Sequence, residues 1–160
     1  MSGLQIRPAR RGDAADLARL GNALARLMKA PEAYSAETFE RYAFGPSPHF
    51  EVLVAEREGA ILGYALFEET FNTDLCEPGT WLHDIMVEEA ARGRGIGNQL
   101  MAAVARLTLE RGRTSLWWGV LSSNAAARRF YERLGAHDED ARIQELSGQA
   151  LEALAATAPS

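Results

Sequence analysis

The chain has 160 residues, of which 47% are hydrophobic and 24% are charged, a balance that excludes disordered, collagen-like and coiled-coil proteins. We interpret residues 1–160 as a single domain, because this length is typical of one. The formal net charge of −5 argues against a general nucleic-acid binder, which would be basic. One cysteine, Cys76, cannot form an internal disulfide, and the three histidines lack metal-ligand spacing, so we expect no metal site.

Targeting and membrane segments are not indicated by the sequence. Charged residues begin at Arg7, where a signal peptide would need an apolar run. The longest nearly continuous apolar stretch, residues 60–67, is too short to cross a bilayer. We therefore expect a cytoplasmic protein that does not associate with a membrane.

The first part of the chain predicts a strand, two helices and a second strand. Leucines spaced three or four residues apart give the first helix an apolar face, and Asp13 can cap its start. Ser35 can cap the second, shorter helix. The predicted elements are residues 4–9, 13–28, 35–42 and 50–57.

The middle of the chain predicts a hairpin, a further strand and a long helix. A Glu58-Gly59 turn joins the second strand to its hairpin partner, and a polar loop precedes the next strand. Apolar residues at helical spacing predict the helix. The hairpin partner is residues 60–70, the loop 72–79 and the fourth strand 80–88, and the helix is defined by Ile96, Leu100, Val104 and Leu107.

The last part predicts a strand, a helix, a final strand and a closing helix. Gly135 stands where a helix-ending glycine belongs, and Ser147 can cap the closing helix. These elements are residues 115–121, 124–134, 141–146 and 147–156. The order of all elements predicts an α/β protein with a mixed sheet and helices on its faces.

A glycine-rich segment separates the fourth strand from the long helix. It reads Arg92-Gly93-Arg94-Gly95-Ile96-Gly97. Alternate glycines let the backbone approach a ligand closely, and the helix start offers free N–H groups and the positive end of its dipole. With its two arginines, the segment predicts a site for a polyanion such as a pyrophosphate. It has neither the Gly-Lys-Ser/Thr of a Walker loop nor the GxGxxG spacing of a dinucleotide fold.

A second motif lies at the helix that starts near Asn124. Asn124 is either a helix cap or an amide that binds a ligand. Phe130 and Leu134, four residues apart, are expected to pack inward, and Tyr131 could point toward a cleft. Taken alone, a tyrosine on such a helix is more often a packing residue than a catalytic one.

Together the two motifs resemble those of the GCN5-related N-acetyltransferases (GNAT). The matching features are the Arg92-x-x-Gly95-x-Gly97 loop, Asn124, and Phe130-Tyr131-x-x-x-Gly135-Ala136. The resemblance extends over nearly the whole chain and is strongest to the diamine (spermidine/spermine) and thialysine acetyltransferase branch. It implies the GNAT fold, in which a central, mixed and mostly antiparallel sheet has helices on both faces and a splayed cleft for acetyl-CoA. It also implies a homodimer.

The resemblance implies acetyl-CoA as the co-substrate. Backbone groups of the fourth strand would hold its pantetheine arm, the glycine-rich loop its pyrophosphate, and the start of a later helix would contact it too. Tyr131 matches the coenzyme-contacting tyrosine that protonates the leaving thiolate, and a phenol with an ordinary pKa of about 10 suits this role. The other matching positions are Ile85, Met86, Val87, Arg92, Gly93, Arg94, Gly95, Ile96, Gly97, Asn98, Asn124, Ala125, Ala126 and Ala127.

His83 departs from the branch, which places an acidic residue there, next to the matching Asp84. An alkylamine with a pKa of about 10.4 must lose a proton before it attacks, at a cost of about 4.6 kcal/mol at pH 7. An imidazole titrates near neutrality, so His83 could be the base; alternatively it is a hydrogen-bonded structural histidine. Asp84 could be structural or a charge partner of His83.

The acceptor side departs from the branch as well. Its substrate-binding aromatic and acidic pair falls on Leu27 and Met28, so a polyamine would lack that carboxylate. Trp117 and Trp118 match substrate-lining strand residues; one would pack in the core and the other could stack on a cationic substrate. Scattered acids could supply carboxylates or simply be surface residues: Glu32, Glu37, Glu68, Glu69 and Asp74.

The sequence therefore predicts an acetyl-CoA-dependent N-acetyltransferase. Its acceptor would be the primary amine of a small molecule, polyamine or diamino-acid-like, attacking the thioester directly. Two alternatives stay open: a protein or peptide acceptor, and a non-catalytic regulatory module that binds acyl-CoA.

Overall fold

The computed structural model describes residues 3–159. These residues form one five-stranded sheet and five α-helices. The strands are β1 (Leu4–Pro8), β2 (Glu51–Arg57), β3 (Ala60–Asn72), β4 (Glu77–Val87) and β5 (Leu116–Trp118). The α-helices are α1 (Ala14–Met28), α2 (Ala36–Tyr42), α3 (Ile96–Glu110), α4 (Ala125–Arg133) and α5 (Gly148–Ala155). Short 3₁₀ turns lie at Arg11–Asp13 and Glu89–Ala91.

The chain divides into two compact units, one up to Trp118 and one from Gly119 onward. The first unit contains the whole sheet together with α1, α2 and α3. The second contains α4 and α5.

The sheet has the strand order β1-β2-β3-β4-β5 and is mixed. The first four strands pair antiparallel, and β5 pairs parallel to β4, so the predicted mixed and mostly antiparallel sheet is confirmed. The β4–β5 pairing covers only Thr80–Leu82 on β4. From His83 to Val87, β4 therefore has no strand partner on its β5 side among residues 3–159, and the sheet is open along this edge.

Helices cover both faces of the sheet. On one face, α1 and α2 bury Leu17, Leu20 and Phe39 against Val54 and Tyr64, each at most 1% exposed. Side chains of neighbouring strand residues point to opposite faces. The opposite face therefore takes α3, which packs on β2, β3 and β4 through a fully buried stripe. That stripe consists of Ile96, Leu100 and Val104. Burying each such side chain stabilises the folded state by about 1.5–3 kcal/mol relative to leaving it exposed to water.

The helix signals at Ser35 and Asp13 had different outcomes. Ser35 caps α2 as predicted, since its Oγ accepts a hydrogen bond from the Thr38 N–H at 3.2 Å. Asp13 does not cap α1 through its side chain. Its carboxylate instead accepts hydrogen bonds from the Arg10 N–H and from the Arg7 guanidinium, both at 2.7 Å.

The Arg7–Asp13 pair is nearly buried, and it makes part of the stability depend on pH. The hydrogen bond from Arg7 holds the pKa of the Asp13 carboxyl below its ordinary value. A carboxyl with a lowered pKa stabilises the fold at pH values above its unfolded-state pKa. That contribution is lost as the pH falls through the lowered value.

The predicted polar loop at residues 72–79 is wrong in extent. β3 continues to Asn72 and β4 begins at Glu77, so the connection is a tight turn. In that turn the Asn72 side chain accepts hydrogen bonds from the Asp74 and Leu75 N–H groups. One face of an antiparallel sheet can be exposed to water and carry polar residues. The polar residues at the end of β3 and the start of β4 therefore lie within the strands rather than in a loop.

The last part of the chain forms fewer strands than predicted. β5 is confined to Leu116–Trp118, and residues 141–146 are irregular rather than a strand. The apolar side chain of Ile143 is 79% exposed and Leu146 is 46% exposed. A strand needs a paired neighbour, and none is present for this segment among the residues described.

Candidate active site

His83 occupies an irregular position on β4. The register between β3 and β4 moves from Leu66 opposite Asp84 to Phe67 opposite Leu82, which leaves His83 as an extra, bulged residue. A β-bulge redirects the side chain of the extra residue. The His83 side chain is 41% exposed, and its Nε2 lies 3.1 Å from Oε1 of Glu68 on β3.

Aromatic rings continue from His83 along the same part of the sheet. The Trp81 ring meets the imidazole edge-on at 6.4 Å, and the Trp117 ring meets Trp81 edge-on at 6.0 Å. Trp117 and Trp118 are both half-buried, so neither lies in the fully buried core.

Asp84 has two tyrosine partners. Its Oδ2 accepts hydrogen bonds from the Tyr34 hydroxyl at 2.7 Å and from the Tyr64 hydroxyl at 3.2 Å. Burial, and then the negative charge of Asp84, raises the pKa of both phenols, which therefore remain protonated donors. Asp84 is thus held structurally, whereas the carboxylate beside His83 is that of Glu68.

Tyr34 fastens the α1–α2 connection to the sheet. Its backbone N–H donates to the Asn22 side chain at 3.0 Å, and its carbonyl accepts from the same side chain at 2.9 Å. Its ring stacks on Phe39 and lies so close to α1 that a Cβ at Gly21 would come within 2.5 Å of it. This connection follows the end of α1, where Leu27 is 59% exposed and Met28 is half-buried.

The hydrogen bond from Tyr34 to Asp84 is expected to stabilise the fold measurably. Tyr34→Phe keeps the ring stacked but removes a partly buried hydrogen bond to a charged group. We expect the free energy of unfolding to fall by about 1.5–3 kcal/mol in urea denaturation. Tyr42→Phe is the matched control, because the Tyr42 hydroxyl has no hydrogen-bond partner among residues 3–159. Equal stability of the two variants would contradict the role given to this bond.

The glycine-rich loop has the geometry of an anion site. Gly93 and Gly95 adopt positive φ angles of 73° and 78°, which favour glycine. Gly95 directly precedes α3, and no side chain caps the first turn of that helix. Its N–H groups are therefore available to an anion. Arg92 ties the loop to the end of β4 by donating to the Val87 carbonyl at 3.0 Å, and Arg94 is exposed.

The residues predicted to contact the coenzyme in the first unit lie on two consecutive features. Ile85, Met86 and Val87 pair with β3 on one side and face the open edge of β4 on the other. The loop then continues into α3, where Ile96 is 1% exposed while Gly97 and Asn98 begin the first turn. Backbone groups on the open side of β4, followed by a loop with the geometry of an anion site, suit a ligand with an amide-bearing arm and a pyrophosphate, as in acetyl-CoA.

The second unit contains the remaining predicted residues. Asn124 is a helix cap, since its Oδ1 accepts a hydrogen bond from the Ala127 N–H at 3.1 Å; Ala125 and Ala126 are exposed in the same turn. Tyr131 is half-buried, and its ring lies 5.2 Å from that of Phe130. Gly135 ends the helix with a φ of 88°, as predicted. Leu134 is 39% exposed, so the expectation that it packs inward is wrong.

A pocket that the sequence did not reveal opens beside Glu68. Its volume is 320 Å³. It is lined by Pro48, His49, Phe50, Glu51, Glu68 and Glu69. Glu51 and Glu69 form ion pairs with Arg111, and Glu69 also with Arg113. Spacing in the sequence could not reveal the pocket, because the α2–β2 loop and β3 meet only after the sheet has formed.

Neither a metal-binding cluster nor a membrane-spanning helix is found in the part of the chain that is described. No group of three or more His, Cys, Asp or Glu side chains among residues 3–159 is placed to hold a metal ion. No helix within these residues has the length and apolarity needed to cross a membrane.

Comparisons with known proteins agree with this architecture. Residues 21–136 match the sequence model described as the acetyltransferase (GNAT) family. A thialysine N-epsilon-acetyltransferase from Bos taurus is 32% identical over 148 residues, covering 86% of each chain. An L-ornithine N5-acetyltransferase from Arabidopsis thaliana is 32% identical over 116 residues, covering 72% of this chain and 48% of the relative. A solved integron cassette protein from V. cholerae superimposes with a TM-score of 0.80 at 25% identity, covering 97% of this chain and 99% of that one.

The fold and these comparisons thus define an acyl-transferring enzyme. The chain belongs to the GNAT family of acetyltransferases. It is an N-acetyltransferase, and acetyl-CoA is the acetyl donor used in this family.

Proposed function

We propose that the protein transfers an acetyl group from acetyl-CoA to a primary amine of a small, polyamine or diamino-acid-like molecule. The observation that carries this proposal is His83, bulged from β4 and paired with Glu68 beside the open edge of the strand. The relatives named for thialysine and L-ornithine support a small acceptor.

The proposed reaction is direct attack without an acyl-enzyme. The thioester supplies an activated acetyl group. N–H groups of Ile85 to Val87 would bind the pantetheine arm and polarise the thioester carbonyl, and the loop from Arg92 to Asn98 would bind the pyrophosphate. His83 would take the proton of the acceptor amine, and Tyr131 would protonate the leaving thiolate. The segment from Asn124 to Ala127 would also contact the coenzyme.

The acceptor would be bound by residues on the sheet and at the end of α1. Trp117 or Trp118 could stack on its cationic part, and Leu27 and Met28 would line its path. Asp84, held by two tyrosines, would contribute negative charge. We further propose that residues 1–160 act as one catalytic domain and that the protein is a homodimer, as the family resemblance implies.

The test is acetyl-CoA-dependent thiol release with a panel of amines. The panel contains thialysine, ornithine, lysine, putrescine, spermidine, small alkylamines and a peptide with a free N-terminus. Because Leu27 and Met28 supply no carboxylate, we expect turnover with the diamino acids to exceed that with spermidine by roughly tenfold. Reactions without amine measure background hydrolysis. Acetyl-CoA binding without release on any small amine, or release on the peptide alone, would contradict the proposal.

A further inference from the structure

We propose that Asp84, held through Oδ2 by Tyr34 and Tyr64, binds a second ammonium group of the acceptor with its Oδ1. Tyr34 is then a positioning residue, which connects the α1–α2 segment to the binding site of the acceptor. This inference rests on the proposed function, in which the reacting amine lies at His83. It makes the preferred acceptor a molecule with two positively charged groups and assigns one of them to a particular oxygen atom.

The two hydrogen bonds that Asp84 accepts both use the same oxygen. The Tyr34 hydroxyl donates to Oδ2 at 2.7 Å, and the Tyr64 hydroxyl donates to it at 3.2 Å. Oδ1 has no hydrogen-bond partner among residues 3–159, and it does not belong to the buried polar atoms that lack a partner there. Oδ1 is therefore open to water or to a ligand, in an orientation that the two phenols hold.

Asp84 also differs from the neighbouring acids in how its charge is balanced. It is half-buried, yet no Arg, Lys or His side chain of the described residues forms an ion pair with it. By contrast, Oε1 of Glu68 lies 3.1 Å from Nε2 of His83. Glu69 pairs with Arg111. A partly buried charge without a counter-charge is unfavourable, and two neutral phenols leave that charge in place for a cationic group of the acceptor to neutralise.

His83 and Asp84 are consecutive residues, and the bulge brings their side chains to the same face of the sheet. Asp84 lies opposite Leu66 on β3. Glu68, two residues further along β3, points to the same face as Leu66. Since Nε2 of His83 lies 3.1 Å from Oε1 of Glu68, the imidazole is on that face as well. Leu66 packs in the cluster formed with α1 and α2, so an acceptor bound on this side of β4 can reach both residues.

The chemistry of the attack assigns Asp84 to an amino group that does not react. The reacting nitrogen must lose its proton, and a carboxylate in contact with it would raise its pKa and so increase the cost of that step. A second ammonium group keeps its proton throughout, and the same contact stabilises it. The acceptor thus places one amino group at His83 and another at Asp84. One open oxygen suits one such group, as in a diamine or a diamino acid.

Tyr34 determines how firmly Asp84 is held. Tyr64 is fully buried in the core, whereas Tyr34 belongs to the connection that follows the end of α1. The Asn22 side chain fixes the backbone of Tyr34 through two hydrogen bonds, and the Tyr34 ring stacks on Phe39. Contacts that do not involve the carboxylate therefore position the hydroxyl. Without this hydroxyl, Oδ2 keeps only one phenol and the carboxylate can rotate.

Kinetics with matched pairs of acceptors test the proposal. Ornithine is compared with 5-aminopentanoate, which lacks only the α-amino group, and 1,4-diaminobutane with pentylamine, in which a methyl group replaces one ammonium. The measured quantity is the ratio of kcat/KM within each pair. This ratio does not depend on the concentration of active enzyme, so a partly unfolded variant cannot imitate the result. For the wild type we expect a ratio of roughly ten or more in favour of the acceptor with two cationic groups.

Two variants identify the residues responsible. Asp84→Asn removes the charge and should bring each ratio close to one. Tyr34→Phe keeps the stacked ring and should lower each ratio by about threefold, with the KM for acetyl-CoA unchanged. In the Asp84→Asn background, Tyr34→Phe should not change the ratio further, because it acts through the carboxylate. Tyr42→Phe removes a hydroxyl elsewhere in the first unit and is the matched control, with the wild-type ratio expected.

Three results would overturn the proposal. They are a wild-type ratio near one, a ratio that Asp84→Asn leaves unchanged, and a Tyr34→Phe variant that is less stable but keeps the wild-type ratio. The last result would make Tyr34 a purely structural residue. The failure of the proposed function looks different, because no small amine then causes thiol release. In that case calorimetric titration of the CoA-bound protein with the same pairs still measures the preference for two cationic groups.

Discussion

Tyr131→Phe is expected to lower kcat by about a hundredfold while leaving the dissociation constant of acetyl-CoA nearly unchanged. The substitution removes one oxygen and keeps the ring that lies against Phe130. Without the phenol, the thiolate must leave without a positioned proton donor. General acid catalysis by a positioned side chain typically contributes 10²–10⁴-fold. Stopped-flow or steady-state thiol release gives kcat, and calorimetric titration gives the affinity for acetyl-CoA.

The Tyr131 prediction has a control and an independent readout. Tyr42→Phe removes a hydroxyl from a tyrosine in the first unit and should leave kcat unchanged. The defect of Tyr131→Phe should also shrink with an acetyl thioester whose thiol is more acidic, since that thiolate leaves without help. A wild-type kcat in Tyr131→Phe would mean that Tyr131 does not protonate the thiolate and that solvent supplies this proton instead.

Local signals predicted the elements that depend on local interactions. The leucine spacing of α1, the Ser35 cap and the ending of α4 at Gly135 all act within one or two turns of helix, and the structure has them. The glycine-rich loop was recognised for the same reason, since glycine readily adopts the positive φ angles that Gly93 and Gly95 have.

Elements that depend on distant partners were predicted less well. The β3–β4 ladder continues through polar residues because each strand satisfies the backbone groups of the other. Aspartate is a residue type that often caps helices, but the Asp13 side chain binds Arg7 on β1 instead of capping α1. Residues 141–146 have strand-like composition, yet composition cannot supply a neighbouring strand.

The same contrast between local and long-range interactions holds for the candidate site. The sequence proposed His83, as a departure from the family pattern, and Tyr131, as a match to it; it did not reveal the carboxylate beside His83, because Glu68 lies fifteen positions earlier on another strand. Only the register between β3 and β4, including the bulge, brings the two side chains together. The two tyrosines on Asp84 were missed for this reason too, since Tyr34 lies fifty positions from Asp84.

His83→Gln is expected to lower kcat/KM for the acceptor amine by about a hundredfold without changing the KM for acetyl-CoA. Glutamine fills a similar volume but cannot take up a proton. The amine must then lose its proton to water, and only its small neutral fraction reacts. His137→Gln, a substitution at an exposed histidine of the second unit, is the control.

The size of the His83→Gln defect should depend on the acceptor. Each unit by which the amine pKa is lowered reduces the cost of deprotonation by about 1.4 kcal/mol. A fluorinated alkylamine with a lower pKa should therefore reduce the difference in kcat/KM between the variant and the wild type. A gap of constant size across amines of different pKa would mean that His83 positions the acceptor rather than deprotonating it.

Combining His83→Gln with Glu68→Leu tests whether the two residues act as one unit. If Glu68 acts only through His83, its removal costs nothing further once the imidazole is absent. The double variant should then have the kcat of His83→Gln alone, and the two defects should not multiply. Multiplying defects would mean that Glu68 contacts the acceptor itself, and the pocket it lines would then belong to the acceptor site.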